Sequence, residues 1–459
     1  MHALIRRAEL DQLRNLLDRH SAAAVISPPG LGGDEMLTAL EAESTVPAIR
    51  VPNGQTEFVR AYAGLEIVLA SLRTLRLRGF DSTELERRLR AENSVNPDSA
   101  PAIADEVTRL ISGLEPEQGA LVIVPGADDM DHSSQVILGH MLRRMAGKRL
   151  KFAVSTGALS PNSPLAGVPA VELRHLSQSR MRELADDLTG GRIAAGVADV
   201  AVRTASGRPS ALLQLLERLP SNQLEGSQAM DLPLRMGPNA EQMVSAEKSG
   251  LGTPADELLG LMSLAPLSPR PSLLGDAGRA QEWFSELEAR GTVEKDGMYC
   301  RISEELTRAS RHRAMSIDER LAGHSLLAQR CEWSYPELHR WHRSFTDATD
   351  ETPLQLLTDA SELVRLGLEW AGIEFAERAL ALCMDPGAVS SQLNTLAACL
   401  IDRGRIDFAL RYLNHAAHST DARVLVRART LGVWAEFLAH QCVPLRLRNQ
   451  GSRSAAGAA

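Results

Sequence analysis

The chain has 459 residues, 44% of them apolar and 24% charged, and a formal net charge of −8 at pH 7. Such a length exceeds one ordinary core and predicts three or four domains, while the acidic balance argues against a general nucleic-acid binder and leaves only a local basic face open. No run approaches a membrane-spanning length of about 18 apolar residues, and Met1-His2-Ala3-Leu4-Ile5-Arg6-Arg7 carries no signal-peptide apolar region.

The expected location is therefore the cytoplasm, with no membrane partner. Aromatic residues are scarce at 4%, and Leu, Ala and Arg dominate, which predicts a helical majority. Cys300, Cys331, Cys383, Cys399 and Cys442 are odd in number and form no C-x-x-C pair, so they read as reduced thiols rather than a disulfide or zinc framework.

Residues 1–175 alternate short apolar runs with longer periodic stretches. The runs 22–27, 47–51, 120–124, 150–155 and 170–173 read as strands, and 57–77 and 104–114 as helices. This alternation predicts a parallel sheet covered by helices. Between the first strand and a helix opening at 35–40 lies Ser27-Pro28-Pro29-Gly30-Leu31-Gly32-Gly33-Asp34, the setting of a phosphate-binding loop. A working loop, G-x-x-x-x-G-K-[ST], cradles phosphates on backbone N–H groups, neutralises them with lysine and holds Mg²⁺ on a hydroxyl. Here Ser27 stands at the first glycine, Gly32 at the second, Gly33 at the lysine and Asp34 at the hydroxyl. Asp34 puts negative charge where phosphate oxygens would sit, and Pro28 and Pro29 remove two donors. The expectation is a nucleotide fold that has lost its chemistry.

Residues 176–225 read as a helical subdomain punctuated by Gly207-Arg208-Pro209, and 226–252, rich in polar residues, Gly and Pro, as a linker. Residues 253–325 begin with a capped helix start, Thr253-Pro254-Ala255-Asp256-Glu257, and end in two strands around Asp296-Gly297, which suggests a winged-helix-like module. From 326 to 441 the pattern is helical and repetitive: Leu363, Glu374, Phe375, Ala376, Arg378 and Leu380 recur as Leu396, Asp407, Phe408, Ala409, Arg411 and Leu413, an offset of 33. That period predicts a solenoid of tetratricopeptide (TPR)-like helix pairs. The basic, Ala/Gly-rich stretch 442–459 reads as a disordered tail, and the abrupt end as a truncation that leaves the solenoid uncapped. The fold class expected is thus multidomain and mainly α: an α/β P-loop NTPase-like core, a helical subdomain, a winged-helix-like module and a TPR-like α-solenoid.

This order of parts resembles the signal-transducing STAND ATPase region of large LuxR-family bacterial transcriptional regulators. Arg6-Arg7-Ala8-Glu9-Leu10 is similar to that family's G-R-x-x-E-L opening, with Ile5 at the glycine, and Gly30-Leu31-Gly32 to half of its loop. Gly207-Arg208-Pro209 with Leu212 and Leu213 is similar to its G-N-P-hydrophobic segment, and 302–308 to its F-x-H-P-L-x-R, keeping Leu306 and Arg308. The resemblance implies a vestigial nucleotide site at Gly30, Gly32, Gly33, Asp34, Gly207 and Pro209, with weak ATP or ADP binding as the only cofactor open to it.

Departures fall where chemistry would be. The strand 121–124 ends in Pro125-Gly126 instead of paired aspartates; Asp128, Asp129 and Asp131 lie beyond, either a displaced Mg²⁺ site or a solvated acidic loop. The sensor position reads Ser155-Thr156-Gly157-Ala158 without an arginine, and Glu304-Glu305 replaces His-Pro. Losing the lysine alone removes a contact of roughly 1.5–3 kcal/mol. No catalytic or metal residue is assigned. His339 and His342 have ligand-like spacing but no partners of recognisable spacing. Arg308, Arg311, His312 and Arg313 form a basic cluster, yet no direct DNA-binding domain is evident. Two functions stay open: a non-catalytic regulatory protein binding a protein partner or small effector on its repeats, with self-association also open, or a nucleotide-operated switch in transcription.

Overall fold

The computed structural model describes residues 6–52, 60–75, 80–91, 100–113, 119–237, 243–244, 253–274, 278–385 and 387–440. The expected tail, with Cys442, and residues 238–242 and 245–252 of the expected linker lie outside them. The chain forms two compact bodies, one of residues 1–180 with Arg208–Ser210, the other of 181–207 with 211–459.

The first body is a parallel sheet between helices. Its strands are β1 (Ala22–Ile26), β2 (Ala48–Arg50), β3 (Ala120–Val124), β4 (Leu150–Thr156) and β5 (Ala170–Glu172), in the order β2-β3-β4-β1-β5. Every pairing is parallel, with Ala24 opposite Val154 and Val122 opposite Phe152. The helices are α1 (Arg7–His20), α2 (Gly33–Ala42), α3 (Ala63–Thr74), α4 (Thr83–Ala91), α5 (Ala100–Ser112) and α6 (His132–Leu142). Alternation along each strand divides the core. Ala22, Ala24, Val122, Val124, Phe152 and Val154 pack with Leu69, Leu89, Val107 and Ile137 of α3 to α6. Ala23, Val25, Leu121, Ile123, Ala153 and Val171 pack with Leu10, Leu13, Leu37 and Leu40 of α1 and α2. Both faces being covered explains why these strands read as continuous apolar runs. The connection after β1 runs toward the β2 edge and that after β4 toward β5, so the chain reverses direction between them. Ligand crevices open at the carboxyl ends of strands at such reversals.

In the second body, helices Thr253–Ser263, Arg270–Leu274 and Gly278–Ala289 pack with a three-stranded antiparallel sheet of Ser268–Pro269, Val293–Asp296 and Tyr299–Ile302, the last in the middle. Their shared core includes Leu259, Met262, Phe284, Leu287, Val293 and Ile302. The hairpin turn is Gly297-Met298, where Gly297 takes the positive φ of 63° that its lack of a side chain permits.

Helix pairs follow: Ile317–Cys331 with Pro336–Arg343, Thr352–Arg365 with Glu369–Leu382, and Ser390–Asp402 with Ile406–Ala416, then Ala422–His440. The 33-residue offset is not the spacing of these helices. The second members of two successive pairs begin at Glu369 and Ile406, 37 residues apart, and the turn glycines Gly367 (φ 89°) and Gly404 (φ 73°) differ by the same amount. The two spacings differ by four residues, about one helical turn, which returns to the same face, so an apolar pattern matches itself equally well one turn out of register.

Residues 226–237 are not a free linker. Arg411 donates to the carbonyls of Gly226 and, at 2.8 Å, Gln228, and Met230 N–H donates to Glu377 Oε2 at 2.7 Å. Met230, Leu234 and Met236 are buried. This strap is held both by bonds to its backbone and by these buried side chains.

The basic cluster is also spent internally. Arg308 is buried and bonds Glu374 in two places, at 2.6 and 2.9 Å, Arg311 pairs with Asp256, and Arg313 donates to the Met236 carbonyl. Burial lowers the His312 pKa to about 4.

Candidate functional site

At the carboxyl end of β1 the chain turns through Ser27–Gly32 into α2. Leu31 is buried and anchors the turn, its N–H donating to the Pro28 carbonyl at 3.2 Å. Gly30 (φ 84°) and Gly32 (φ 92°) adopt left-handed conformations that a side chain would strain. Gly32 caps α2 and no side chain caps the first turn; the first intrahelical bond is Met36 N–H to the Gly32 carbonyl at 3.0 Å. The positive end of the helix dipole is therefore open toward the loop, as in anion sites.

The side chains oppose that use. A Cβ on Gly33, the lysine position, would lie 2.6 Å from Ser27 Cβ. The two departures from the loop pattern are thus one steric fact: a side chain at 27 fills the space that a side chain at 33 needs. Asp34 follows at the hydroxyl position. Its pKa is raised, first by partial desolvation of the carboxyl and next by the negative charge of Glu35; Arg50 offsets part of this and Asp129 adds to it. Arg50 is engaged with Glu41 (3.1 Å) and Thr38 (2.8 Å).

Three further residues complete the site, none of them among those read from the sequence as contacts. Ser210 donates its N–H to the Gly30 carbonyl (3.2 Å) and its hydroxyl to Glu35 (3.0 Å), so the segment opened by Pro209 closes over the loop. Arg6 is 5% exposed and bonds Glu9 (3.2 Å) and the Arg174 carbonyl (2.8 Å), while its Nε has no hydrogen-bond partner among the described residues. That nitrogen is 3.9 Å from where a Cβ on Gly32 would be. The structure thus gathers Gly30, Gly32, Gly33, Asp34 and Pro209 in one body with Arg6, Glu35 and Ser210. Gly207, at φ 75°, belongs to the second body. The signal for Arg6 and Ser210 was their place in and beside the R-R-A-E-L and G-R-P segments.

The acidic loop after β3 is largely structural. Asp128 accepts from Gly157 N–H at 2.7 Å, and Asp131 caps α6 while accepting from Tyr62 N–H (2.8 Å) and Gly64 N–H (3.0 Å). Ser155 accepts from Gly126 N–H (2.9 Å) and Thr156 donates to the Ala158 carbonyl (3.0 Å), so both sensor-position hydroxyls serve the local turn. His339 shares a hydrogen bond with the Ala328 carbonyl (2.8 Å) and His342 with His324 (3.0 Å). Among the described residues, what remains for chemistry at the loop is a set of backbone N–H groups and the Arg6 guanidinium, opposed by the Asp34 and Glu35 carboxylates.

A β1–glycine loop–α2 unit at the reversal point of a parallel sheet defines a P-loop NTPase-like core within a mainly helical chain. No protein-family model matches the sequence, and no curated protein matches it. Among solved structures, the chain is similar to a signal transduction ATPase with numerous domains and a tetratricopeptide repeat sensor from Pyrococcus horikoshii, at 14% identity and a TM-score of 0.30, over 95% of this chain and 68% of that one. It is also similar to a Walker-type ATPase of Pyrococcus abyssi, at 13% identity and a TM-score of 0.35, over 67% of this chain and 95% of that one. A variant of RuvB from Thermotoga maritima matches at 13% identity and a TM-score of 0.30, over 69% of this chain and 96% of that one. No described helix is long and apolar enough to cross a membrane.

Proposed function

We propose that the protein is a non-catalytic signal-transduction component of the kind that precedes the DNA-binding part of LuxR-family regulators. In this reading a degenerate P-loop body serves as scaffold, and the helical repeats bind a protein or small effector. The observation that carries it is the loop itself: Ser27 excludes a side chain at 33, and Asp34, with Glu35 and Asp129 nearby, places acid where phosphate and Mg²⁺ would be held. Phosphoryl transfer depends almost wholly on positioning and electrostatic stabilisation, so this charge pattern removes catalysis before it removes binding.

A second reading has its own support. The unpartnered Nε of Arg6 beside Gly32, with the uncapped start of α2, favours a switch that holds ATP or ADP weakly without hydrolysing it. Calorimetric titration with ATP and ADP, with and without Mg²⁺, alongside a phosphate-release assay separates the two. The first reading expects neither heat nor phosphate from a protein whose fold is verified by circular dichroism. Saturable heat abolished by Gly32→Phe and by Arg6→Gln establishes the second, and released phosphate that disappears in the same variants would sink both.

A further inference from the structure

The strap and the helices Pro336–Arg343, Glu369–Leu382 and Ile406–Ala416 bound a cavity of about 430 Å³ within the second body. That volume is in the range of small-molecule sites, about 300–1,000 Å³. Trp341, Phe345, Leu380 and Ala381 supply apolar lining, and residues 227–232 of the strap supply the facing wall.

Charge accounting singles out one residue. Glu374 lines the cavity but is committed to Arg308, and Asp231, paired with Arg235 at 2.7 and 2.9 Å, acts on Arg378 only through space, an effect smaller than that of burial. Among the described residues no carboxylate bonds Arg378. Its Nε donates to Ser344 Oγ at 3.1 Å and its Nη2 to the Ser344 carbonyl, while its guanidinium carbon stands 3.9 Å from the Phe345 ring centre. His324 stacks on the same ring at 4.0 Å and shares a hydrogen bond with His342. Neither histidine brings negative charge to Arg378. Among the described residues its Nη1 makes no bond. His415 Nε2, on the cavity's border, is likewise buried without a hydrogen-bond partner among the described residues. A partly buried cation whose bonded partners are all neutral is unfavourable, and a carboxylate at its free edge offsets that cost with a charge-assisted hydrogen bond.

We propose that this chamber is an effector site for a small molecule bearing one carboxylate on an apolar or aromatic body. Arg378 holds the carboxylate, His415 gives a second polar contact, Trp341, Leu380 and Ala381 take the body, and the strap closes the wall. The proposal rests on the reading of the helical repeats as the effector-binding part of the chain.

The test uses 3-phenylpropionate, its neutral amide and 3-phenylpropylamine, titrated into the full chain by calorimetry, with maleimide labelling of Cys383, which lines the chamber. The carboxylate is expected to saturate and to protect Cys383. The amide should bind at least about tenfold more weakly and the amine not at all, since a hydrogen bond to a charged group contributes about 1.5–3 kcal/mol. Arg378→Gln should cost about tenfold or more, and Ala381→Trp, which fills the chamber and keeps Arg378, should abolish binding with unchanged thermal unfolding. No saturation by the carboxylate, equal binding of the amide, or binding retained in Ala381→Trp overturns the proposal. Phosphate release from ATP by the same preparation would sink the non-catalytic reading and leave the chamber standing; absent carboxylate binding with absent hydrolysis sinks the chamber alone.

Discussion

Replacing Arg411 by methionine tests how the strap is held. Glu377 is fully buried and accepts from Arg411 Nε and Nη2, both at 2.9 Å, from the Tyr412 hydroxyl at 3.0 Å and from Met230 N–H at 2.7 Å. Arg411→Met keeps most of the volume and leaves that carboxylate with neutral partners only, while the Gly226 and Gln228 carbonyls lose their donor. Breaking a buried pair from one side costs about 3–5 kcal/mol. Removing both charges in Arg411→Met/Glu377→Leu should restore at least about 1 kcal/mol relative to Arg411→Met, because the uncompensated charge goes, although Met230 N–H and the Tyr412 hydroxyl stay unsatisfied. All five tryptophans, Trp283, Trp333, Trp341, Trp370 and Trp434, belong to the second body, so their fluorescence during urea unfolding follows that body alone. With a slope of about 3 kcal/mol per molar, the midpoint should fall by about 1 M or more. Trypsin cleavage after Arg235 in the strap should accelerate in parallel. A loss under about 1 kcal/mol, or a double variant as costly as the two singles summed, would refute the assignment of the strap's attachment to this pair.

Gly33→Ala should destabilise the first body by about 1–3 kcal/mol through overpacking against Ser27, and Ser27→Gly in the same chain should remove the cost; thermal unfolding by circular dichroism decides, and an undiminished loss in the double variant counts against the steric coupling. Asp131→Ala should cost about 2–4 kcal/mol in the same assay, as a helix cap and two backbone donors of α3 and its approach lose their acceptor, whereas a loss under about 0.5 kcal/mol would contradict that role. Burial lowers the pKa of His324 to about 2, of His342 to about 3 and of His312 to about 4. The unfolded chain then binds more protons than the folded one below about pH 6.5, so stability is full above that pH and falls as pH drops toward the folded values, by up to about 1.4 kcal/mol per unit for each ring. The tryptophan-detected midpoint should therefore fall from pH 7.5 to 5.0, and a flat profile would mean the rings accept protons in place.

The five strands were legible because strands buried on both faces carry apolar runs whatever the rest of the chain does, and the loop was legible because its glycines must take positive φ. The coupling of Ser27 to Gly33 was not, since it joins residues whose closeness depends on the turn between them. Ser210 and Arg6 approach the loop from distant parts of the chain, and only their neighbouring motifs hinted at a role. The strap was read as linker because its buried Met230, Leu234 and Met236 follow no helix or strand period, and the bonds to its backbone come from side chains 147–185 residues away. Arg308 looked like surface charge for a related reason: its partner Glu374 is 66 residues away, and sequence shows the cation without the carboxylate.

The return of Arg208–Ser210 to the first body, after 27 residues given to the second, bears on how such a chain can be inherited. A recombination event that exchanged residues 1–180 as a block would leave Ser210 behind and strip the Gly30 carbonyl and Glu35 of their donor. The inheritable module is discontinuous, so exchange by a single crossover is disfavoured, and the loop and the segment that closes it must change together.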